Sequence, residues 1–382
     1  MVALKGSGLA LPRAPLEDWL RDYYFMAEID ISSSGVQPYS MTELRDKAGV
    51  TNAEIDSLVF ADGYSLGFPE VRAAIAQRWA GGETEKVMTS SGSSEAISLV
   101  MMALLRPGDE VIVVKPGYHL LTEFPAALGC ITKTWRLSAE NDWKPSLDDL
   151  AELITPRTRA IIVNFPQNPT GVSIVEGDLR RLLRLAEEVD AYILWDGAFA
   201  ELTYETDPLP NVPQIYPRGI SFGTFSKMFG LPGLRFGWCI APPDVLAECV
   251  RIRDYNTLHV SPLIELLALR VLQKADSFVV PRLEQAKHNR TILSDWTSGL
   301  DGRVSLTLPD GGVAAFPRLN GLANTSDFCE ILFRKYGVLV VPGECFGVPQ
   351  NIRLGFGGGT DELSRGLDRL GSALSSDAVL ES

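Results

Sequence analysis

Short apolar runs alternate with longer amphipathic stretches from about residue 85 to residue 240. Residues 110–114, 160–164 and 191–195 are dominated by Val, Ile, Leu and aromatic side chains, the pattern of strands buried on both faces. Between the last two runs, Leu179, Leu182, Leu183 and Ala186 recur at helical spacing, with arginines on the opposite face. That spacing predicts an amphipathic helix. Ser146-Leu147-Asp148-Asp149 reads as a capping box opening another helix. Strands separated by helices predict an α/β fold, a mostly parallel sheet covered by helices on both faces. In such sheets ligands bind at the carboxyl ends of the strands.

The pattern changes after residue 244. Residues 244–300 read as helical, with 282–296 forming one long helix between two parts of the molecule. Residues 313–316, 338–341 and 352–354 then read as strands, and Ser326–Tyr336 as a helix. A chain of 382 residues exceeds the size at which a single core keeps growing. The expected division is an N-terminal arm over residues 1–45 that packs on the small domain and the site, a large α/β domain over 46–275, and a small α+β domain over 276–382. Residues 375–382 read as a frayed end.

Composition narrows the function classes. A net charge of −13 argues against nucleic acid, which calls for a basic face. No apolar run is long enough to span a bilayer, and residues 1–5 lack the apolar stretch of a signal peptide. The five cysteines are scattered, with no Cys-x-x-Cys pair and no metal-ligand spacing. Reduced thiols in a cytoplasmic protein, without a metal, are therefore expected.

Chemistry concentrates around Lys227. Thr224-Phe225-Ser226-Lys227 leads through two glycines to Arg235. A lysine can form a Schiff base with an aldehyde, and Thr224, Ser226 and Arg235 could hold a phosphate of the same molecule. That set meets the needs of pyridoxal 5′-phosphate (PLP), an electron sink for a carbanion on an amino acid. Taken alone, Lys227 and Arg235 read equally well as surface residues.

Four upstream elements and one downstream add to the case. Gly92, Ser93 and Ser94 open a helix with small residues, where free N–H groups offer a phosphate site or simply a helix cap. Tyr118 follows the strand over 110–114 and could stack on a flat ring, while His119 reads as a loop residue facing solvent. Asn168 lies in an Asn-Pro-Thr-Gly turn, placed to donate to a phenolic oxygen and with a cis Asn168–Pro169 bond as an expectation. Asp196 ends the strand over 191–195, where a carboxylate needs a cationic partner such as a pyridinium; a helix N-cap is the plainer reading. Downstream, Arg353 has apolar neighbours Ile352 and Leu354, and its fork matches an α-carboxylate.

Together these motifs resemble the class I/II aminotransferase family of PLP enzymes, over about residues 28–373. The resemblance implies the aspartate-aminotransferase fold, with a seven-stranded sheet in the large domain, and a homodimer. It implies phosphate contacts from Gly92, Ser93, Ser94, Thr224, Ser226 and Arg235, ring stacking by Tyr118, and ring-oxygen and ring-nitrogen partners in Asn168 and Asp196. Lys227 corresponds to the Schiff-base lysine, Arg353 to the carboxylate anchor, and Gly35 to a glycine that helps hold that carboxylate.

Two departures stand out. Phe199 occupies the position where the family usually places a tyrosine that bonds the ring oxygen, and no clear counterpart of the partner-subunit tyrosine is present. Residues 14–20, 30–36, 194–199 and 251–255 resemble the branch that contains capreomycidine synthases and the streptolidine-ring-forming enzymes. Those enzymes remove water from a β-hydroxylated arginine and close a guanidine ring. The expected reaction is therefore cyclisation of a hydroxylated arginine without an amino-group acceptor, with Lys227 moving the Cα proton. Glu17 is the candidate partner of the guanidinium, against the reading that it lies on the polar face of a short helix. An aminotransferase for a basic or aromatic amino acid and a non-catalytic PLP-binding regulatory domain are the alternatives.

Overall fold

The computed structural model describes residues 11–376. Residues 1–5, read above for a signal peptide, and 377–382 of the end read as frayed lie outside the described residues. Seven strands form the main sheet: β1 (Val87–Ser90), β2 (Glu110–Lys115), β3 (Ile131–Arg136), β4 (Thr158–Asn164), β5 (Tyr192–Asp196), β6 (Gly219–Thr224) and β7 (Gly237–Ile240). Their order across the sheet is β1-β7-β6-β5-β4-β2-β3. β2 pairs in parallel with β3 and β4, and the parallel ladder continues through β5 to β6. Only β7 runs the other way, antiparallel to both β1 and β6.

β2, β4 and β5 are buried almost throughout, as a sheet covered on both faces requires. The helix Glu176–Glu187 covers one face with Leu179, Leu182, Leu183 and Ala186, each leucine stabilising the fold by about 1.5–3 kcal/mol when fully buried. On the other face Ser93–Leu104 buries Ile97, Val100 and Met101 against β-strand residues Val111, Val113 and Ile162. On the first face, Leu182→Ala would open a cavity under the helix Glu176–Glu187 and cost about 2–5 kcal/mol.

The antiparallel strand decides where the site forms. Gly237, the first residue of β7, pairs with both Ser90 and Thr224, the last residues of β1 and β6. Reversing the direction of one strand thus delivers the segment before Gly237, including Arg235, to the carboxyl edge of the sheet. Asn164 and Asp196 end neighbouring strands in register at the same edge.

Smaller sheets lie beside this one. Ile352–Gly355 pairs antiparallel with Ala314–Ala315 and with Val341–Pro342. Val338–Leu339 instead pairs in parallel with Ile29–Asp30. The strand expected over 338–341 is therefore two strands, because the chain changes partner after Leu339. The long helix spans Ala275–Ser298 and begins earlier than expected; Pro281, a usual helix-start residue, lies inside it. At Ser146 the hydroxyl accepts from Asp149 N–H at 3.1 Å, but no return bond is made. Aspartate is one methylene shorter than the glutamate of a capping box.

The N-terminal helix Pro15–Tyr23 starts with proline in its first turn, where a missing N–H costs nothing. Trp19 donates its indole N–H to Val340 O at 2.9 Å. Tyr23 meets the Phe333 ring edge-on at 4.9 Å, and Leu16 is buried. These contacts anchor the helix on the strands and helix of the C-terminal part. Among the described residues no helix is long and apolar enough to cross a membrane.

Candidate active site

A cavity of about 280 Å³ opens at the carboxyl edge of the sheet. Lys227, Asp196, Asn168, Tyr118, Arg235 and Arg353 all line it, although they are spread over more than two hundred positions of sequence. Ser93, Ser94, Thr224 and Ser226 line it as well, together with Glu17 from the N-terminal helix. Gly92 and Gly35 flank it through their backbones. Gly92 is the N-cap of the helix Ser93–Leu104, at φ +78°, and a Cβ there would lie 2.6 Å from Arg235 Nη2. Gly35 lies against Ser226, whose carbonyl oxygen a Cβ would meet at 3.4 Å.

One end of the cavity suits an oxyanion. The helix Ser93–Leu104 points its N-terminus there, with free backbone N–H groups and the positive dipole end. Arg235 adds its charge: Nη1 donates to Ser226 Oγ at 3.2 Å. Thr224 Oγ1 accepts from Ser226 N–H at 3.1 Å, holding the two hydroxyl residues together.

Farther in, Asp196 is buried. Its Oδ1 accepts from Ala198 N–H at 3.1 Å. Burial raises its pKa to about 6, against the opposing pull of that N–H and of Lys227. A buried carboxylate is costly until a cation pairs with it, and a cationic ring nitrogen would supply that partner and favour the ionised form. Asn164 ties two neighbours in place: its Nδ2 donates to Asp196 O at 2.9 Å, and its Oδ1 accepts from Asn168 N–H at 2.9 Å. The Asn168–Pro169 bond is cis, as expected.

The Lys227 amine donates to Ser34 Oγ at 2.8 Å. Burial, then the Arg353 guanidinium, lower its pKa to about 8, while Asp196 and Glu17 pull the other way. At neutral pH about a tenth is thus the neutral, nucleophilic amine, far more than for a lysine of ordinary pKa. Arg353 is buried; Nη1 donates to Asn168 Oδ1 at 3.3 Å and Nη2 to Ser32 O at 2.9 Å. Among the described residues its buried Nε has no hydrogen-bond partner. Burial lowers its pKa to about 10, so it stays charged and suited to a carboxylate.

Glu17 Oε1 accepts from the Tyr118 hydroxyl at 3.3 Å. Phe199 presents an apolar ring to the cavity, its centroid 6.0 Å from Lys227 Nζ. His119 departs from expectation. It begins the short helix His119–Thr122 rather than a solvent-facing loop, with its ring 4.4 Å from that of Tyr118. Its Nδ1 is buried without a partner among the described residues, and burial lowers its pKa.

These donors fit PLP as a set. A helix terminus with a nearby arginine and hydroxyls suits the phosphate, a buried carboxylate the ring nitrogen, and an amine of depressed pKa the aldehyde. Sequence reasoning missed Ser34 and Asn164. Ser34 stood out only as one of the residues 30–36 of the resembling stretch, and Asn164 only as the polar end of the strand over 160–164.

Residues 43–370 match the sequence pattern described as aminotransferase class I and II. The chain belongs to that family. It is a PLP-dependent enzyme with the aspartate-aminotransferase fold. A capreomycidine synthase from Streptomyces vinaceus is 47% identical over 371 residues, which cover 97% of this chain and 95% of that protein. An aspartate aminotransferase from Thermotoga maritima is 30% identical over 320 residues, covering 81% and 82%. Among solved structures, the PLP-dependent cyclase OrfR superposes with a TM-score of 0.93 at 40% identity, covering 98% of this chain and 99% of that one.

Proposed function

We propose that this enzyme cyclises a β-hydroxylated arginine, removing water and closing a six-membered guanidine ring. One observation carries the reading: a single cavity is lined by the Arg353 guanidinium, the Lys227 amine and the Glu17 carboxylate. That set suits an amino acid with a cationic side chain. The likeness to capreomycidine synthase and to the cyclase OrfR supports it. Phe199, which brings no hydroxyl to the cavity, further separates the site from the family's transaminating pattern.

Thr224, Ser226, Arg235 and the helix N-terminus at Gly92, Ser93 and Ser94 would hold the phosphate. Asp196 would pair with the ring nitrogen, Asn168 with the ring oxygen, and Tyr118 would pack on the ring face. When bound, PLP supplies the electron sink that makes the Cα proton of an amino acid removable.

The chain's own groups do the rest. Arg353 orients the substrate through its α-carboxylate, with the Gly35 backbone beside it. Lys227 Nζ takes the Cα proton, and its depressed pKa suits a base working near neutrality. The β-hydroxyl then departs and a guanidine nitrogen of the same substrate adds to Cβ, the proton lost by that nitrogen balancing the one the hydroxide gains in becoming water. Glu17 holds the guanidinium so that this addition is intramolecular, which favours it strongly over a bimolecular reaction. Lys227 returns a proton to Cα. We carry the homodimer in the same proposal, supported by the exposed apolar side chains Phe60, Tyr64 and Tyr255.

Incubating the PLP-loaded protein with 3-hydroxyarginine tests the reading. The expected product is lighter than the substrate by one water, with no 2-oxoacid. Formation of a 2-oxoacid and pyridoxamine phosphate alone would instead establish a transaminase for basic amino acids.

A further inference from the structure

The segment Asp30-Ile31-Ser32-Ser33-Ser34-Gly35 carries three consecutive serines with three different surroundings. Ser32 is spent on the turn itself: its N–H and its hydroxyl donate to Asp30 Oδ1 at 2.8 and 2.6 Å. Ser33 Oγ accepts from Gly35 N–H at 3.1 Å. Ser34 alone of the three lines the cavity, and it is the one that meets Lys227.

The turn is fixed at both ends. Gly355 N–H donates to Ile31 O at 2.8 Å, and Gln37 N–H to Gly357 O at 2.7 Å. Ser32 O accepts from Arg353. The support of the Ser34 hydroxyl is therefore also the support of the carboxylate anchor, and it comes from a different part of the chain than Lys227. Phe199 offers the amine only a ring face.

We propose that Ser34 is a positioning residue for Lys227, its hydroxyl accepting the ammonium form of the lysine whenever that nitrogen is not joined to the cofactor. This rests on Lys227 being the proton carrier of the reading above. After Nζ takes the Cα proton, the new N–H lies on Ser34 Oγ, and the same proton is held within the pocket for return to Cα. No other group gains or loses a proton in this exchange.

Four charged groups face the amine: Arg353 and Arg235 disfavour the ammonium, and Asp196 and Glu17 favour it. A neutral acceptor from Ser34 adds to the second pair. Removing it should lower the pKa of the Lys227 amine by about one pH unit, the size of a hydrogen bond to a charged donor.

The test uses the full chain freed of cofactor, so it needs no substrate and stands apart from the identity of the reaction. Lys227 is labelled with acetic anhydride from about pH 6 to about pH 10, a range that brackets lysine amines of depressed and ordinary pKa, and quantified by peptide mass spectrometry. Ser34→Ala should shift the midpoint of labelling downward, and Ser34→Thr, which keeps the hydroxyl, should restore the parent value. Re-addition of PLP with recovery of its visible absorbance confirms that both variants fold. An unmoved midpoint in Ser34→Ala overturns the proposal, as does an equal shift in Ser34→Thr. An upward shift also overturns it, since the hydroxyl would then be donating to the neutral amine.

Discussion

The two ends of the cavity are built differently. Asp196, Asn168 and Thr224 lie on or just after strands of one sheet, buried and held by short hydrogen bonds from their neighbours. Glu17 lies on a nine-residue helix that meets the large core through the Tyr118 hydroxyl and through Leu16, Trp19 and Leu20, and is also anchored on Val340 and Phe333. The first end places chemistry common to a family; the second places a single carboxylate that suits one kind of substrate. A fold can therefore retain its cofactor site while its substrate changes, because the two sets of side chains rest on separate supports.

Loss of the reactive amine should show this most strongly. Lys227→Ala removes both the cofactor's covalent anchor and the base. It should abolish the lysine-linked absorbance and reduce turnover by at least about 10³-fold, within the range of a lost general base. Retained absorbance and turnover in this variant would falsify the cofactor end of the comparison.

Asp196 predicts a pH effect without any substrate. Burial holds its folded pKa at about 6, above the ordinary 3.8. A carboxyl with a raised folded pKa stabilises the fold below the unfolded value, and that contribution is lost as pH rises through the folded one. Cofactor-free Asp196→Asn, which keeps an oxygen for Ala198 N–H, should match the parent below about pH 4. Above about pH 6 it should be more stable by roughly 3 kcal/mol, two pKa units' worth. Urea midpoints of the two proteins at both pH values decide it; parallel curves would mean that Asp196 does not titrate as a buried acid.

Legibility in the sequence follows the same divide. β2, β4 and β5 were readable because strands buried on both faces must be continuously apolar. β6 and β7 were not, since Ser221 and Gly223 break the apolar run of β6 and the run after Gly237 in β7 is short. Gly223 is needed where it stands: a Cβ there would lie 2.2 Å from the Trp238 ring. β3 is an edge strand with Ile131 and Thr132 exposed, so its pattern lacked an apolar stripe. Lys227, Arg235 and Asp196 were legible through spacing and residue type. Ser34 was not, because a hydroxyl facing a lysine nearly two hundred residues away leaves no local periodicity.

A change at the substrate end should leave the cofactor end intact. Glu17→Gln keeps the size of the side chain and a bond to Tyr118 while removing the charge. KM for 3-hydroxyarginine should rise about 10-fold or more, the value of a charge-assisted hydrogen bond, with the PLP spectrum unchanged. An unaltered KM would return Glu17 to the role of a polar helix residue. A changed spectrum would show that the two supports are coupled through Tyr118.

The smallest effect sharpens the comparison where the two ends meet. Phe199 is buried at 3% exposure and lies near both Lys227 and Gly312. Phe199→Tyr adds one oxygen to a crowded wall, which costs stability of about 1–3 kcal/mol if the neighbours cannot yield. If it is accommodated, the new hydroxyl becomes a donor beside the lysine-linked cofactor, favouring its deprotonated form. The pH midpoint of the visible absorbance should then fall by up to about one unit, the worth of one hydrogen bond. KM should stay within about twofold, because Arg353 and Glu17, the charged groups that would hold the substrate, are unchanged. A shifted KM with a fixed spectrum would reverse the assignment, making Phe199 part of the substrate's wall rather than the cofactor's.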